Sequence, residues 1–374
     1  MSALDLHYMD YTLALARKGR GLSSPNPMVG ATIVKDGVIV GEGFHRYAER
    51  KHAEAWAIEA AGEKARGATL YLNLEPCSHF GRTAPCCDLV VGSGITRVVA
   101  AMQDPNPVVN GAGFERLKRA GIEMTVGIRE REAQKLNESY CKYITTRRPF
   151  VTLKAGMTLD GKIASKKGPS KWITSEDSRS ALQQLRLEAD ALLAGIGTVL
   201  KDDPWLSDRS GRPRRRPLLR VILDSKLRFP TESKLALSSD AGDIIVFCAE
   251  NRERGRQRRL EQLGIEVIPV SAVQERIPFA YVLEELGRRD ITSLLIEGGA
   301  EVNFEALHSQ IVDKILFFVA PKILGGKAAV PVVGGIGFLD IDNCVPLTFT
   351  SVEKIGLDLM IEAYVNWRCA PHPQ

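Results

Sequence analysis

The chain has 374 residues, of which 44% are hydrophobic and 25% charged, and a formal net charge of +5. That length exceeds one ordinary core and implies two domains, and the composition is that of a globular protein, with no apolar run reaching the roughly 18 residues of a membrane span. Its seven cysteines are odd in number and scattered, which argues against a disulfide framework and for metal or catalytic use.

The N-terminus, MSALDLHYMDYTLALARKGRG, carries Asp5 and Asp10 and reads as an amphipathic helix over about 5–19, not as a secretory signal. A cytoplasmic protein is therefore expected. ATIVKDGVIVGEGF follows as two short strands around the turn Lys35-Asp36-Gly37. Next come a helix after His52, the strand ATLYLNL, a helix after Pro85, the strand RVVAAM, the helix FERLKRAG and the strand IEMTVGI. This alternation predicts a sheet between helices over residues 1–146.

Arg147-Arg148-Pro149 is the predicted joint, because proline discourages a helix from running through. A second series over 147–374 starts with the strand PFVTLKAGM and the helix SEDSRSALQQLRLEAD, N-capped by Thr174 or Ser175. ALLAGIG, LRVILDS, DIIVFCA, IEVIPV and SLLIEGGA are strands. KILFFVAPKIL, LTFTSVEKIG and LMIEAYV close the chain with no helix between them, so a mostly parallel sheet with an antiparallel tail is expected. The basic stretches RPRRRPLLR and RERGRQRRL read as solvated surface or as attraction for phosphorylated small molecules. Aromatics do not interleave with these arginines, as a nucleic-acid stacking platform would require.

The chemistry concentrates in KHAEAWAIEAAG and LNLEPCSHFGRTAPCCD. His52, Cys77 and Cys86 offer one imidazole and two thiols, the three-ligand set of a catalytic zinc with one open position. Glu54 is a candidate proton carrier, as in the His-x-Glu and Pro-Cys pattern of zinc deaminases. Residues two apart point to nearly opposite sides of a helix, so His52 and Glu54 can share a site only if His52 sits at the helix entry. Pro85 suits a first helical turn, which puts Cys86 at a helix N-terminus, where a thiolate is favoured. The competing reading is a closed structural site with Cys87 or His79 as fourth ligand.

PNPMVG at 25–30, HAEAWAI at 52–58, EPCSHFGRTAPC at 75–86 and QDPNP at 103–107 resemble the deaminase half of the bifunctional riboflavin-biosynthesis deaminase/reductase family. The eight residues between Cys77 and Cys86, against two in the general pattern, are a feature of that family. The resemblance implies a cytidine-deaminase-like α/β/α sandwich with His52, Cys77 and Cys86 as zinc ligands and Glu54 as proton shuttle. It places Asn26, His45, His79 and Arg82 in the substrate pocket. The implied reaction is hydrolytic deamination of a diaminopyrimidinone carrying a ribosylamino 5'-phosphate.

The second half lacks Gly-x-Gly-x-x-Gly. KAGMTLDGKIAS, SKWITS, GTVLKDDPWL (read as a polar turn after a strand) and LLIEGGAEVNFEAL resemble the same family's reductase half, over roughly residues 149–365. The implied fold is a dihydrofolate-reductase-like α/β domain, the implied cofactor NADPH, and the implied reaction reduction of the ribosyl group to ribityl. By this resemblance Gly156, Trp172, Thr198, Asp202, Ser225 and Gly299 contact the cofactor. Ser170, Arg186, Leu206, Arg209 and Glu297 contact the substrate, the two arginines suiting a 5'-phosphate. Lys154, Asp202 and water are all open as proton source. The resemblance also implies a homodimer or larger assembly through the reductase half, where late strands such as KILFFVAPKIL could pair or pack across chains. The partner expected is a phosphorylated small molecule, with no nucleic acid and no membrane. The alternatives are a nucleic-acid base deaminase fused to an unrelated nucleotide-binding domain, and a structural zinc module fused to a nucleotide sensor.

Overall fold

The computed structural model describes residues 2–81, 84–166, 172–239, 242–250 and 252–367. The chain divides into two compact units, residues 1–148 with 213–215, and residues 149–212 with 216–374.

Unit 1 runs α1 (Ala3–Ala16), β1 (Gly30–Lys35), β2 (Val38–Phe44), α2 (Ala53–Ala61), β3 (Thr69–Leu72), α3 (Cys86–Gly92), β4 (Arg97–Ala100), α4 (Ala112–Arg119), β5 (Glu123–Val126), α5 (Glu130–Leu136) and α6 (Glu138–Thr146). The strands form a sheet in the order β2-β1-β3-β4-β5, antiparallel up to β3 and parallel beyond it. Side chains alternate between its faces. Ile33, Leu70, Leu72 and Val98 pack under Ala53, Ala57, Val90 and Leu117 of α2, α3 and α4. Val34, Tyr71 and Val99 pack under Tyr8, Met9 and Leu13 of α1 and Tyr140 of α6. On β2, a Cβ on Gly41 or Gly43 would lie 2.2 Å from Ala57 O or 2.4 Å from Ala53 O. Those two glycines let α2 lie directly on the strand, which fixes where the helix begins.

Unit 2 runs β6 (Phe150–Thr158), β7 (Lys162–Ala164), α7 (Glu176–Glu188), β8 (Ala191–Gly195), α8 (Ile196–Asp202), β9 (Leu219–Leu223), α9 (Lys234–Leu237), β10 (Ile244–Ala249), α10 (Arg254–Gln262), β11 (Glu266–Val270), α11 (Phe279–Arg288), β12 (Ser293–Ile296), α12 (Ala300–His308), β13 (Lys314–Ala320), β14 (Val330–Pro331), β15 (Leu347–Ile355) and β16 (Asp358–Val365). Among the described residues the main sheet has the order β11-β10-β9-β8-β12-β6-β13-β16-β15. It is parallel from β11 to β13 and ends in the antiparallel pairs β13–β16 and β16–β15, the tail the sequence predicts. From β8 the chain moves outward to β9, and from β12 it moves the other way to β13. The β8–β12 boundary is therefore the topological switch point, where open α/β sheets bind ligands beyond their strand ends.

Two expectations change. ALLAGIG is not one strand: β8 stops at Gly195, and a helix occupies Ile196–Asp202, where the sequence reads as a polar turn. KILFFVA lies inside the sheet between β6 and β16 and has no free edge for pairing, and the edge strands of that sheet are β11 and β15. Among the described residues no helix is long and apolar enough to cross a membrane.

Candidate active sites

His52 occupies the N-cap position of α2 in extended conformation (φ −78°, ψ 168°) and makes no side-chain capping bond. Its ring is thereby free to turn away from the helix, while Glu54 in the first turn is buried at 3% exposure. Across from it, Pro85 is the N-cap of α3 and Cys86 its first residue. Cys77 is held against this helix start by two bonds, Cys86 N to Cys77 Sγ at 3.3 Å and Cys87 N to Cys77 O at 3.2 Å. His52 Nδ1 lies 3.2 Å from Cys86 Sγ and 3.7 Å from Cys77 Sγ. The three donor atoms lie within 4.8 Å of one another, and among the described residues no other such group of His, Cys, Asp or Glu forms.

Electrostatically the groups of the cluster act strongly on one another. Cys86 donates to Cys77 and holds that thiol well below its usual range, against the pull of burial. The same bond, with burial and the nearby Glu54, pushes Cys86 up. Bonding to Cys77 raises the His52 imidazole, and burial raises the Glu54 carboxyl. One nitrogen and two sulfurs, at two helix starts, suit a divalent zinc with a position left for water. Cys87 is not a fourth ligand: it is fully buried, and its thiol reaches Pro76 O at 3.4 Å and Gly113 O at 3.6 Å. His79 is half-buried and lies outside the cluster of three.

Asn26 and His45 meet beside this cluster. Asn26 Nδ2 is 3.0 Å from His45 Nε2, and the buried His45 ring stands edge-on to His52 at 5.4 Å. Arg82 lies outside the described residues. Glu75, to which the sequence reading gives no role, is 4% exposed and accepts four backbone N–H groups. Its partners are Asp104, Gly111, Gly113 and Phe114, at 3.1, 3.0, 2.8 and 3.3 Å. It pins the segment after β4 and the start of α4 to the strand end that leads into Cys77. Its place two residues before a ligand was the only signal available in the sequence.

In unit 2 the loops after β8 and β12 meet at the switch point. Thr198 and Asp202 sit four apart on α8 and so share a face. Gly299 is the N-cap of α12, without a side-chain cap, and a Cβ there would lie 3.6 Å from Thr198 Oγ1. A Cβ on Gly298 would lie 2.7 Å from Val302 Cβ, so only glycine allows this turn. The bare backbone at the start of α12 suits the phosphates of a dinucleotide. Ser225 follows β9 on the neighbouring strand end, and its carbonyl accepts from Arg252 Nε at 2.8 Å. Gly156 lies on β6, where a Cβ would meet Thr174 Cγ2 at 3.1 Å. Trp172 is 64% exposed, with the Arg179 guanidinium 4.4 Å above its ring.

Beside this crevice Arg186 of α7 grips Glu297 through Nε at 2.7 Å and Nη2 at 2.9 Å, and donates from Nη1 to Ser207 O at 2.8 Å. Burial would raise the Glu297 carboxyl, but Arg186 outweighs it and the carboxyl is lowered. Burial also lowers the Lys154 ammonium. Most of the Arg186 fork is thus already engaged, and the exposed Arg209 is the more open guanidinium. Leu206 is buried, in the left-handed region at φ 48°. Ser170 lies outside the described residues.

The chain matches two family models, the cytidine and deoxycytidylate deaminase zinc-binding region over residues 2–102 and the RibD C-terminal domain over residues 149–361. It is 43% identical to the riboflavin biosynthesis protein RibD of Aquifex aeolicus over 358 residues, covering 96% of this chain and 98% of that one. Against the Escherichia coli protein of the same name it is 40% identical over 372 residues, with 96% and 98% covered. Among solved structures it superposes on Acinetobacter baumannii RibD with a TM-score of 0.84 at 34% identity, covering 97% of this chain and 99% of that one. The Thermotoga maritima diaminohydroxyphosphoribosylaminopyrimidine deaminase/5-amino-6-(5-phosphoribosylamino)uracil reductase gives 0.85 at 38%, with the same coverage.

Proposed function

This chain belongs to the RibD family, and from that membership we propose that residues 1–146 carry a deaminase, residues 147–374 a reductase, and each active site the residues assigned below. The protein is a bifunctional enzyme of riboflavin biosynthesis, with zinc and NADPH as its cofactors.

For deamination, His52 Nδ1 and the Cys77 and Cys86 sulfurs hold the zinc. Bound zinc supplies Lewis acidity and brings the pKa of water towards neutrality. Asn26 and His45 hydrogen-bond the pyrimidine edge, and His79 and Arg82 complete the pocket. Glu54 accepts the proton of the attacking water and hands it to the departing amine, so that one water is consumed and one ammonia released. Burial raises this carboxyl, which brings it nearer the neutral range where a shuttle must both take and give a proton. The observation that carries the reading is the meeting of His52, Cys77 and Cys86 beside buried Glu54. Glu54→Gln is expected to keep its zinc and lose deamination by ~10²–10⁴-fold, the usual range for a general acid/base. A near wild-type rate of ammonia release from that variant would refute the role.

For reduction, bound NADPH supplies the hydride. Gly156, Trp172, Thr198, Asp202, Ser225 and Gly299 hold the cofactor in the switch-point crevice. Ser170, Arg186, Leu206, Arg209 and Glu297 hold the ribosyl phosphate: Arg209 faces the phosphate, and Arg186 keeps Glu297 ionised. The enzyme acts in the cytoplasm as a homodimer or larger assembly formed through unit 2, with β15, an exposed edge strand of its sheet, at the contact.

A further inference from the structure

Asn73 and Asn137 are buried at 0% and 2% exposure, and the roles assigned above use neither. Their amides converge on one stretch of backbone. Asn137 Oδ1 accepts from Met28 N at 2.8 Å, and its Nδ2 donates to Met28 O at 3.0 Å. Asn73 Nδ2 donates to the same carbonyl at 2.9 Å, and its Oδ1 accepts from Gly30 N at 2.8 Å. Met28 precedes β1 and is in no ladder. Asn73 follows Leu72, which pairs with Ala31, so its side chain prolongs the β1–β3 pairing by one step where backbone pairing has stopped. Asn137 stands on the other side as a second edge.

A buried amide is costly unless its hydrogen bonds are made, and an apolar side chain would fill the same space without that requirement. What an amide adds is a fixed direction for the backbone it grips. That backbone carries the pyrimidine-facing pair. Asn26 lies two residues before Met28, and Val29 O accepts from His45 N at 2.9 Å. Asn26 and His45 then join side chain to side chain beside His52.

We infer that Asn73 and Asn137 are positioning residues of the deaminase, which clamp the Met28 peptide and so aim Asn26 and His45 at the pyrimidine. This rests on the reading that Asn26 contacts substrate. Neither amide touches a metal ligand in the bonds given above.

A double-mutant cycle tests it. Asn137→Ala, Asn26→Ala and the double variant are made in the full-length chain, and ammonia release is followed for kcat and KM. Cobalt(II) replaces zinc in parallel samples, and its visible band reports whether the His/Cys/Cys site is intact. Asn137→Ala is expected to lower kcat/KM about ten-fold, mainly through KM, with an unchanged cobalt band. In the Asn26→Ala background the same change is expected to cost less than about two-fold, because a residue acting through Asn26 has nothing left to aim. Penalties that multiply independently, a wild-type kcat/KM for Asn137→Ala, or a cobalt band lost with activity would each overturn the inference. Asn26→Ala with full activity would sink the underlying reading and this inference with it. Asn26→Ala impaired while Asn137→Ala is unaffected would sink the inference alone. Should Asn137→Ala fail to fold, Asn137→Asp keeps the acceptor for Met28 N and takes its place. If neither variant gives the cobalt band, the residue is structural and the inference falls.

Discussion

Glu54 and Glu297 are both buried carboxylic acids, and their surroundings drive them in opposite directions. Burial dominates at Glu54 and raises it, which suits a group that must carry a proton. At Glu297 the Arg186 fork outweighs burial and keeps the charge in place. The position of Glu54 beside His52 was legible in the sequence, because the two lie two apart at a helix entry and local chain geometry decides what they can share. The Arg186–Glu297 pair was not, since 111 residues separate its members and only the tertiary fold brings them together. Asp202 belongs to the same scale. It ends α8 on the face it shares with Thr198, whose hydroxyl lies near Gly299 at the start of α12. Asp202→Ala is expected to lower NADPH oxidation about ten-fold or more while ammonia release stays at the wild-type rate. Equal loss of both activities would contradict two separate sites.

At the scale of elements, α1 shows how a helix is fastened to a sheet. The Asp5 backbone N–H donates to the Ser2 hydroxyl at the N-cap, and its carboxylate grips Arg97 of β4 at 2.8 and 3.1 Å, with Tyr71 of β3 adding a bond at 2.9 Å. Hydrogen bonding to Arg97 holds the Asp5 carboxyl well below the usual range despite burial. Arg97→Met strands that carboxylate and is expected to cost about 3 kcal/mol at neutral pH, near the lower end for a broken buried pair. A depressed carboxyl contributes stability above its unfolded value, ~3.9, and loses it as pH falls through the lower folded value. Urea midpoints of the two proteins should therefore differ at pH 7 and converge below about pH 4. A gap that persists or widens in acid would rule out this source of stability. The elements themselves were readable where chemistry punctuates the chain, as at His52 and Pro85. They were not readable at Ala191–Gly197, where one apolar run spans the end of a buried strand and the start of a helix, and periodicity cannot separate the two.

For the whole molecule, the order of strands carries most of the argument. Reversal of the strand order at the parallel β8–β12 pair creates the crevice, and the antiparallel tail puts β15 at one edge. The sequence announces three late strands without intervening helices, but it cannot say which of them lies outermost. Phe349 and Val352 on β15 are 66% and 59% exposed, against an interior β13. If the proposed assembly forms through β15, Phe349→Glu with Val352→Glu is expected to lower the sedimentation coefficient to that of a monomer, since like charges brought together at a shared edge repel. An unchanged sedimentation coefficient would move the interface elsewhere. The metal centre remains the feature on which the catalytic account turns, and X-ray absorption at the zinc edge of the intact protein reads it directly. The account expects one zinc per chain bound by two sulfurs, one imidazole nitrogen and one oxygen from water. A third sulfur, or a chain purified intact that binds no zinc, would contradict it.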